Sequence, residues 1–181
     1  MRTLAITQNM TVDGSIEFLD SWFDPTAQDG ELAAEIGRQS GEEDVLLLGR
    51  RTFEEFRSFW PHQADDTTGV AAHLDRVAKH VISLTLGDPG WVNSTVLGAD
   101  WRDRVAALKQ EDGGDIVVTG SISLCHAVIE AGLVDEYRLF VHPVVQGRGR
   151  RLFPEGTPRS LQLNDCRRFP SGVTLLTYVT A

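Results

Sequence analysis

Residues 44–60, DVLLLGRRTFEEFRSFW, place a buried apolar run directly in front of a helical pattern. The run from Val45 to Leu48 predicts a short strand that is covered on both of its faces. Gly49 then allows a tight turn. The large apolar residues that follow recur at helical spacing, at Phe53, Phe56 and Trp60. The stretch therefore predicts a strand that feeds directly into an amphipathic helix, which is half of a βαβ unit.

The corner between this strand and this helix carries positive charge. A helix that begins after the carboxyl end of a strand directs free N–H groups and the positive end of its dipole at that point. Arg50 and Arg51 add two guanidinium groups there. One interpretation is a phosphate-binding corner. The alternative is that Gly49 only makes a turn and that the arginines pair with the carboxylates that follow them.

The composition indicates one domain in which positive charge is local. At 181 residues the chain is long enough for a single core, so we expect one domain over residues 1–181. The 17 basic and 26 acidic side chains give a net charge of −9, which argues against general nucleic-acid binding. The N-terminal segment lacks the apolar core of a signal peptide and no run reaches membrane-spanning length. We therefore expect a cytoplasmic protein without a membrane partner.

The two cysteines predict neither a disulfide nor a metal site. Cys125 lies in a helical pattern and Cys166 in a predicted strand, and they show no paired spacing. Reduced thiols are favoured over a disulfide between them, as in a cytosolic protein. No ligand spacing indicates a bound metal.

The chain before the opening stretch predicts a strand, an ordered loop and a helix. Residues 3–7 alternate as a strand does, and the polar residues QNMTVDGS predict a loop that turns at Asp13 and Gly14. Asp24 and Pro25 are typical of a helix start. The apolar stripe of this helix is predicted to be Leu32, Ala33 and Ile36.

The chain after the opening stretch continues to alternate helices and strands. The next predicted elements are a helix at 70–77, a strand at 79–84, an extended piece at 91–97 and a helix at 100–109. The last predicted elements are a strand at 134–141, a glycine-rich basic loop at 143–151, and two alternating strands at 161–168 and 173–180. This order predicts an α/β fold.

A second strand-to-helix corner repeats the first. Asp115 to Thr119 is a buried run, and Gly120 with Ser121 turns it into a helix that Gly132 closes. The stripe of that helix is predicted to be Leu124, Ala127, Val128 and Ala131. In a mostly parallel sheet, ligands bind beyond the carboxyl ends of the strands, so the two corners together can hold a pyrophosphate. The closing strands, joined by Pro170-Ser171-Gly172, predict an antiparallel hairpin at the edge of this sheet.

These segments together resemble the dihydrofolate reductase-like superfamily, and within it the C-terminal reductase domain of the bacterial riboflavin-biosynthesis deaminase/reductase. The segments that carry the resemblance are MTVDG at 10–14, LLLGRRTFEEF at 46–56, VTGSISL at 118–124, AGLVDEYRLFVHPVVQGRGRRLF at 131–153 and the closing hairpin. The resemblance spans nearly the whole chain. It implies a three-layer α/β/α dihydrofolate reductase-like fold and an NADPH-dependent reduction.

The resemblance also implies which residues bind NADPH. Arg50 or Arg51 would bind the 2′-phosphate that distinguishes NADPH from NADH, because a guanidinium pairs bidentately with phosphate. The other implied cofactor residues are Gly49, Thr52, Ser83, Thr85, Gly120, Ser121 and Ile122. Similar proteins often carry a basic residue near Leu84. This chain lacks it, so the preference between NADPH and NADH stays open.

Asp13 is the candidate catalytic acid. By resemblance it lies on the loop beside the substrate, where it would orient a substrate nitrogen or relay a proton. The alternative is a turn aspartate that prepares Gly14. Reduction needs one hydride and one proton, and water can supply the proton, so a dedicated acid is not required.

The second corner departs from the pattern of riboflavin synthesis. Proteins that act in that pathway usually carry a glutamate and two glycines where this chain has Thr119-Gly120-Ser121. The missing carboxylate puts a phosphoribosylamino-pyrimidine substrate in doubt. The leading hypothesis is therefore an NADPH-dependent reductase of a small planar nitrogen heterocycle, pyrimidine or pterin-like. The alternative is a non-catalytic nucleotide-binding protein that keeps the fold.

Three further expectations concern partners and neighbouring residues. By resemblance the protein forms a homodimer, with the hairpin and the strand at 134–141 as the pairing surface. A surface or boundary role is favoured for His142, and a packing role for Trp60 over a wall of the substrate cleft. The arginines of the basic loop are equally consistent with a ligand phosphate, a second subunit or simple solvation.

Overall fold

The computed structural model describes residues 1–24, 29–156 and 158–180. The strands of this part of the chain are β1 Leu4–Thr11, β2 Glu43–Gly49, β3 Ala78–Ile82, β4 Ser94–Leu97, β5 Asp115–Thr119, β6 Glu136–His142, β7 Leu161–Arg168 and β8 Thr174–Thr180. The α-helices are α1 Gly30–Glu42, α2 Arg50–Phe59, α3 Val70–Arg76, α4 Trp101–Gln110 and α5 Ile122–Glu130, and a short 3-10 helix spans Trp60–His62.

The strands form one sheet in the order β4-β3-β2-β5-β1-β6-β8-β7. The strands from β4 to β6 run parallel to their neighbours. β8 pairs antiparallel with β6 and with β7. The mostly parallel sheet with an antiparallel C-terminal hairpin is therefore confirmed.

Helices cover both faces of the sheet and so complete the three predicted layers. On one face, side chains of α4 and α5 pack over Leu4, Ile6, Leu47 and Val118. On the other face, Phe53 of α2 packs over β2 and β5, and Leu32 of α1 packs against Phe140 of β6. Because side chains alternate along a strand, Thr7 and Asn9 of β1 point to this second face. The ends of β1 and β5 therefore lie in a groove between α1 and α2, which we call the cleft.

The opening stretch folds as predicted. β2 ends at Gly49 and α2 begins at Arg50. The side chains from Val45 to Leu48 are buried, and so is Phe53. Phe56 and Trp60 are partly buried against the same core cluster. The apolar run and the helical spacing thus place this βα unit in the centre of the molecule.

The first strand is longer than predicted. β1 continues to Thr11, so the prediction of a loop from Gln8 was wrong. The polar residues are held in the sheet because β6 pairs with them as far as Thr11 opposite His142. Neighbouring strands thus outweigh local polarity. The predicted turn is present at Gly14, whose φ is +88°.

The first helix begins later than predicted, and of its predicted stripe Leu32 and Ile36 pack against the core but Ala33 does not. Asp29 caps α1, and its carboxylate accepts the backbone N–H groups of Glu31 and Leu32. Asp24 precedes the helix, and Pro25 lies outside the described residues. Ala33 is exposed, whereas Leu32 is buried together with the polar residues Glu35 and Gln39. Glu35 is tolerated inside because Arg38 and Arg167 neutralise it.

Other boundaries shift by a few residues. β3 ends at Ile82, so Ser83 and Leu84 belong to the loop after it. In α5 the buried stripe is Leu124, Cys125, Val128 and Ile129, and Ala127 and Ala131 are half-buried. Gly132 closes α5 with a φ of +67°, as predicted.

The C-terminal hairpin forms one edge of the sheet. β7 is exposed along most of its length, and its register to β8 shifts between Leu163 and Asp165 in a bulge. β6 lies between β1 and β8, so its backbone offers no edge for pairing. The homodimer stays a prediction, and a monomeric mass in light scattering would contradict it.

Both cysteines are free thiols. Cys125 is buried in α5 and Cys166 is exposed on β7. Burial raises the pKa of the Cys125 thiol to about 12. Within the described ranges we find no helix that is long and apolar enough to cross a membrane. The same residues contain no group of three or more His, Cys, Asp or Glu side chains placed to hold a metal ion.

Candidate active site

The two glycine corners lie side by side at the carboxyl ends of β2 and β5. The backbone N–H of Gly49 donates to Ser121 Oγ at 2.9 Å. The backbone N–H of Ser121 donates to Thr52 Oγ1 at 3.2 Å. We call residues 49–52 and 120–122 the glycine rim. Its two halves are joined by hydrogen bonds between uncharged groups. The prediction that both corners lie at one edge of the sheet is therefore confirmed.

The close approach of the two corners explains Gly120. This residue has a φ of +60°, and a Cβ there would lie 3.2 Å from Thr52 Cγ2. A larger residue would therefore be strained and would also press on the opposite corner. At Gly49 a Cβ would lie 3.5 Å from Ser121 Oγ, which is ordinary contact. Only the second corner thus depends on glycine for both its conformation and its space.

The helix starts at the glycine rim differ from the start of α1, which Asp29 caps. Neither α2 nor α5 has a side-chain hydrogen-bond cap. Ser121, at the start of α5, is one of two non-glycine residues with positive φ in the described chain, at +40°. Its hydroxyl accepts from Gly49 instead of capping its own helix. Such uncapped N–H groups and local backbone strain are typical of anion-binding sites.

The two arginines point to different neighbours. Arg50 Nη1 donates to Thr85 Oγ1 at 2.7 Å, so it connects α2 to the loop after β3. Arg51 is 89% exposed. Its charge contributes to the lowered pKa of Glu17 on the loop after β1.

The alternative interpretation of the arginines is also seen in the structure. Arg50 pairs with Glu54 at 2.9 Å and Arg51 pairs with Glu55 at 3.1 Å, each four residues ahead. Such exposed pairs contribute only about 0.3–0.5 kcal/mol each. The ion pairs therefore leave N–H groups of both guanidiniums available for a phosphate.

The remaining predicted cofactor residues flank the glycine rim. Ser83 Oγ accepts the backbone N–H groups of Thr85 and Leu86, at 3.2 and 3.0 Å, which shapes the loop after β3. Ile122 is the first residue of α5 and packs against the edge of the core. The structure thus brings Arg50 and Thr85 together, and joins Gly49, Thr52 and Ser121.

Gln8, which was predicted to lie in a loop, ties β1 to the glycine rim. Its side chain is buried, and Nε2 donates to the carbonyl oxygen of Gly120 at 2.7 Å. The same nitrogen lies 3.2 Å from Cys125 Sγ. A polar residue in phase with Leu4 and Ile6 on one strand is the signal that identifies such a position.

Asp13 binds its own loop and the basic loop. Its carboxylate accepts Thr11 Oγ1 at 2.6 Å and the backbone N–H groups of Gln146 and Gly147 at 3.1 and 2.7 Å. These hydrogen bonds, led by the one from Thr11, lower the pKa of Asp13 to about 2. The side chain is therefore an ionised acceptor at neutral pH. The geometry agrees with the turn aspartate, and a role toward substrate stays a prediction.

Two loops contact each other beyond the ends of β1 and β6. We call residues 12–24 the acidic loop. Gln146 of the basic loop is the centre of the contact: its Nε2 donates to Ser15 Oγ at 2.8 Å, and its Oε1 accepts Trp22 Nε1 at 2.7 Å. Glu17 pairs with Arg150 at 2.5 Å, and its pKa is lowered chiefly by the backbone N–H of that arginine.

Aromatic side chains of the acidic loop pack on His142. The ring centres of Trp22 and Phe23 lie 5.2 and 5.7 Å from that of His142, both edge-on. Phe18 stacks on Phe23 at 4.7 Å. His142 Nε2 is bonded to Asn9 Oδ1 at 2.8 Å, and burial lowers the pKa of the imidazole. The expectation of a surface or boundary role for His142 did not anticipate this contact, because its partner is 133 residues away.

The floor of the cleft holds a buried hydroxyl without a partner. Thr7 Oγ1 makes no hydrogen bond to any described residue. Thr7 lies opposite Thr119, next to the glycine rim, and points to the same face as Asn9. Buried polar atoms are normally paired, so an unpaired hydroxyl here is consistent with a site that receives a ligand.

Comparison with known proteins finds relatives that span nearly the whole chain. The family model described as the RibD C-terminal domain matches residues 2–175. The uncharacterised protein YyaP of Bacillus subtilis (strain 168) is 30% identical over 184 residues, covering 98% of this chain and 94% of that protein.

Solved structures share the fold at low sequence identity. A candidate riboflavin biosynthesis protein of Shewanella sp. PV-4 superposes with a TM-score of 0.73 at 19% identity, over 99% of each chain. The diaminohydroxyphosphoribosylaminopyrimidine deaminase/5-amino-6-(5-phosphoribosylamino)uracil reductase of Thermotoga maritima gives a TM-score of 0.68 at 14% identity. That alignment covers 99% of this chain and 57% of the Thermotoga chain.

Proposed function

The chain belongs to the RibD C-terminal domain family, and from that premise we propose that it is a reductase that transfers a hydride from NADPH to a small planar nitrogen heterocycle, pyrimidine or pterin-like. One observation carries the proposal. Two uncapped helix starts lie next to each other at one rim of the sheet, with the guanidinium of Arg50 beside them. This is the arrangement that a dinucleotide pyrophosphate with an additional phosphate requires.

The residues at the glycine rim fit NADPH. Gly49 and Thr52 would approach the pyrophosphate from α2, and Gly120, Ser121 and Ile122 from α5. We assign the 2′-phosphate to Arg50, because its contact with Thr85 places the guanidinium beside the loop of Ser83, where the adenosine half would lie. The unpaired Thr7 hydroxyl at the cleft floor is an additional polar group for the nicotinamide half or the acceptor.

When bound, NADPH supplies the hydride, and the protein contributes orientation and electrostatics. The cleft aligns the acceptor with the end of the rim, and the two closed loops exclude water from it. Asp13 holds no proton at neutral pH because its pKa is about 2. Its role is to fix the acidic loop on the basic loop, and the acceptor takes its proton from water or from another group.

The named activity of the Thermotoga protein suggests the class of acceptor. That protein is a deaminase/reductase of pyrimidines, and this chain aligns with 57% of it. Reduction of a related nitrogen heterocycle is therefore the reaction that we propose. The alternative, a nucleotide-binding protein without catalysis, shares the rim and differs only in the absence of turnover.

A titration with both dinucleotides tests the proposal. Nicotinamide fluorescence would be followed with NADPH and NADH for the native protein, Arg50→Ala and Arg51→Ala. We expect Arg50→Ala to weaken NADPH binding about tenfold, roughly 1.4 kcal/mol, and to leave NADH binding nearly unchanged. Arg51→Ala should have a smaller effect. Arg104→Ala is the matched control, because Arg104 makes the same pair four residues apart, with Asp100 at 2.8 Å.

The outcomes of the titration distinguish the two candidate functions. If neither dinucleotide binds, both the reductase and the non-catalytic binder are wrong. If NADPH binds but is not oxidised with any member of a panel of pterins, pyrimidines and quinones, the non-catalytic binder is favoured.

A further inference from the structure

The peptide group between Gly120 and Ser121 is held at both of its ends. The carbonyl oxygen of Gly120 accepts Gln8 Nε2 of β1 at 2.7 Å. The N–H of Ser121, which belongs to the same peptide group, donates to Thr52 Oγ1 of α2 at 3.2 Å. In a trans peptide the C=O and the N–H point in opposite directions. The two hydrogen bonds therefore fix which of these groups points toward β1 and which points toward α2.

This orientation needs a restraint because the backbone after the peptide group is strained. Ser121 has a φ of +40°, which is unfavourable for a residue with a side chain. Rotating the peptide group by about half a turn would bring the φ of Ser121 to a negative value, in the ordinary range. The local conformation of Ser121 thus favours the rotated form, and the hydrogen bonds from Gln8 and Thr52 oppose it.

The rotated form would be unfavourable for an anion at the glycine rim. α5 begins at Ile122, and its first N–H groups have no acceptor inside the helix, so they are the groups that would bind a pyrophosphate. If the peptide group rotated, the Gly120 carbonyl would point toward Thr52, where the Ser121 N–H now points. A carbonyl oxygen carries a partial negative charge, so it would repel the phosphate there.

Gln8 is suited to hold the Gly120 carbonyl in place. Its side chain is only 4% exposed, so water does not compete for the hydrogen bond. Only the amide nitrogen of glutamine can donate to a carbonyl oxygen, so this contact fixes the orientation of the amide. Cys125 Sγ lies 3.4 Å from the same carbonyl oxygen. A thiol is a weak donor, so Gln8 provides the main restraint.

We propose that Gln8 is a positioning residue for the dinucleotide: its hydrogen bond to the Gly120 carbonyl keeps this peptide group turned so that N–H groups, and not a carbonyl oxygen, face the pyrophosphate. The inference rests on the proposed function, because the ligand of the glycine rim is the dinucleotide named there. Gln8 is buried and acts on the ligand through the peptide group. The pyrophosphate is common to NADPH and NADH, so Gln8 affects both dinucleotides alike, whereas Arg50 distinguishes them.

The Gln8→Met variant tests this role, because methionine is flexible, has a similar volume and lacks the N–H donor. Titration with nicotinamide fluorescence should show NADPH binding weakened about tenfold, with the ratio of NADPH to NADH affinity unchanged. Gln39→Met is the matched control, because Gln39 is also a buried glutamine and donates to Glu35 Oε1 at 2.9 Å within α1. The control should keep the native affinities. Equal losses in the two variants, or no loss in Gln8→Met, would overturn the inference.

The Gln8→Glu variant makes the same hydrogen bond depend on pH. An ionised carboxylate cannot donate to the Gly120 carbonyl, whereas a protonated carboxyl group can, and burial favours the protonated form. Cys125, beside it, has a pKa of about 12 and does not titrate in this range. Binding of NADP⁺, which is stable in acid, would be compared with that of the native protein at each pH. The variant should bind about tenfold more weakly at about pH 8 and should approach the native affinity at about pH 5. A ratio of affinities that does not change with pH would contradict the role of the donor.

Amide hydrogen exchange at Ser121 separates the role of Gln8 from the proposed function. We expect the Ser121 N–H to exchange with solvent about tenfold faster in Gln8→Met than in the native protein, and to stay near the native rate in Gln39→Met. If the native protein binds neither dinucleotide, the proposed function is wrong, and the exchange rate alone decides whether Gln8 holds the peptide group. An unchanged exchange rate in Gln8→Met would show that Gln8 does not hold it.

Discussion

The two ends of the cleft are held together by different kinds of bond. At the glycine rim, hydroxyl groups of Ser121 and Thr52 bond to backbone N–H groups across the corners, at 2.9 and 3.2 Å. At the acidic loop, the bonds are made by carboxylates, among them Asp13 with Gln146 and Glu17 with Arg150. Uncharged bonds do not respond to pH, whereas those of carboxylates are lost when the carboxylates are protonated. The glycine rim should therefore keep its hydrogen bonds in acid, whereas the contact between the acidic loop and the basic loop should weaken.

The largest expected effect is the loss of NADPH affinity when Gly120 of the glycine rim is replaced. Gly120→Ala places a Cβ at a φ of +60° and 3.2 Å from Thr52, and we expect NADPH affinity to fall about 30-fold, roughly 2 kcal/mol. Gly14→Ala is the matched control, because its φ is +88° but no atom lies within 4 Å of the new Cβ. The Gly14→Ala variant should have a lower free energy of unfolding but an unchanged affinity for NADPH. Equal losses of NADPH affinity in the two variants would contradict a special role of the second corner.

The next effect concerns the carboxylate of Asp13. Its pKa is lowered from 3.8 to about 2 in the folded protein, so its stabilising bonds are complete at neutral pH and are lost as the pH falls from about 4 to about 2. In the Asp13→Asn variant, we expect the amide hydrogens of Gln146 and Gly147 to exchange with solvent about tenfold faster than in the native protein at neutral pH. The exchange rates of the native protein should approach those of the variant in acid. Rates that stay different below pH 2 would show that another group holds the loop.

A smaller effect is expected from the uncharged bond of the glycine rim. Ser121→Ala removes the partner of the Gly49 N–H and should lower the free energy of unfolding by about 1 kcal/mol. Urea unfolding measures this loss, which should be the same at pH 5 and pH 8. Ser58→Ala is the control, because Ser58 bonds only to the exposed helix carbonyl of Glu55. A loss that grows in acid would mean that the rim also depends on a carboxylate.

The smallest effect belongs to the exposed ion pairs of the acidic loop. Arg148→Gln breaks the pair with Asp20, in which both side chains are more than half exposed. The free energy of unfolding should change by less than about 0.5 kcal/mol, and salt should remove the difference. Thermal unfolding at low and high salt measures it. A change well above that size would indicate that the two loops form a cooperative network.

The glycine rim was predictable because its requirements are local. The sequence shows a buried run, a glycine and a helix start in each corner, and both segments fold at the predicted positions. Only the parallel sheet is needed to bring them to one edge, and alternation of strands and helices predicts such a sheet. The roles of Arg50, Thr85 and the other cofactor residues stay predictions, because no ligand tests them.

The acidic-loop end of the cleft was not predictable to the same degree because its contacts are distant along the chain. Asn9 and His142 are 133 residues apart, and Trp22 and Gln146 are 124 apart. The polar residues from Gln8 suggested a loop, whereas pairing with β6 draws them into β1. Local sequence carries no signal for such pairing, so neither the length of β1 nor the ring cluster on His142 could be foreseen.

β7 has a consequence for the behaviour of the protein in concentrated solution. An exposed edge strand with an apolar side chain such as Leu163, which is 51% exposed, can template the addition of strands from other molecules. The bulge between Leu163 and Asp165 interrupts the regular row of backbone groups, and Arg167 and Arg168 add charge to the same strand. A straight and uncharged version of this edge would favour aggregation, so we expect the bulge and the arginines to oppose uncontrolled strand addition at β7.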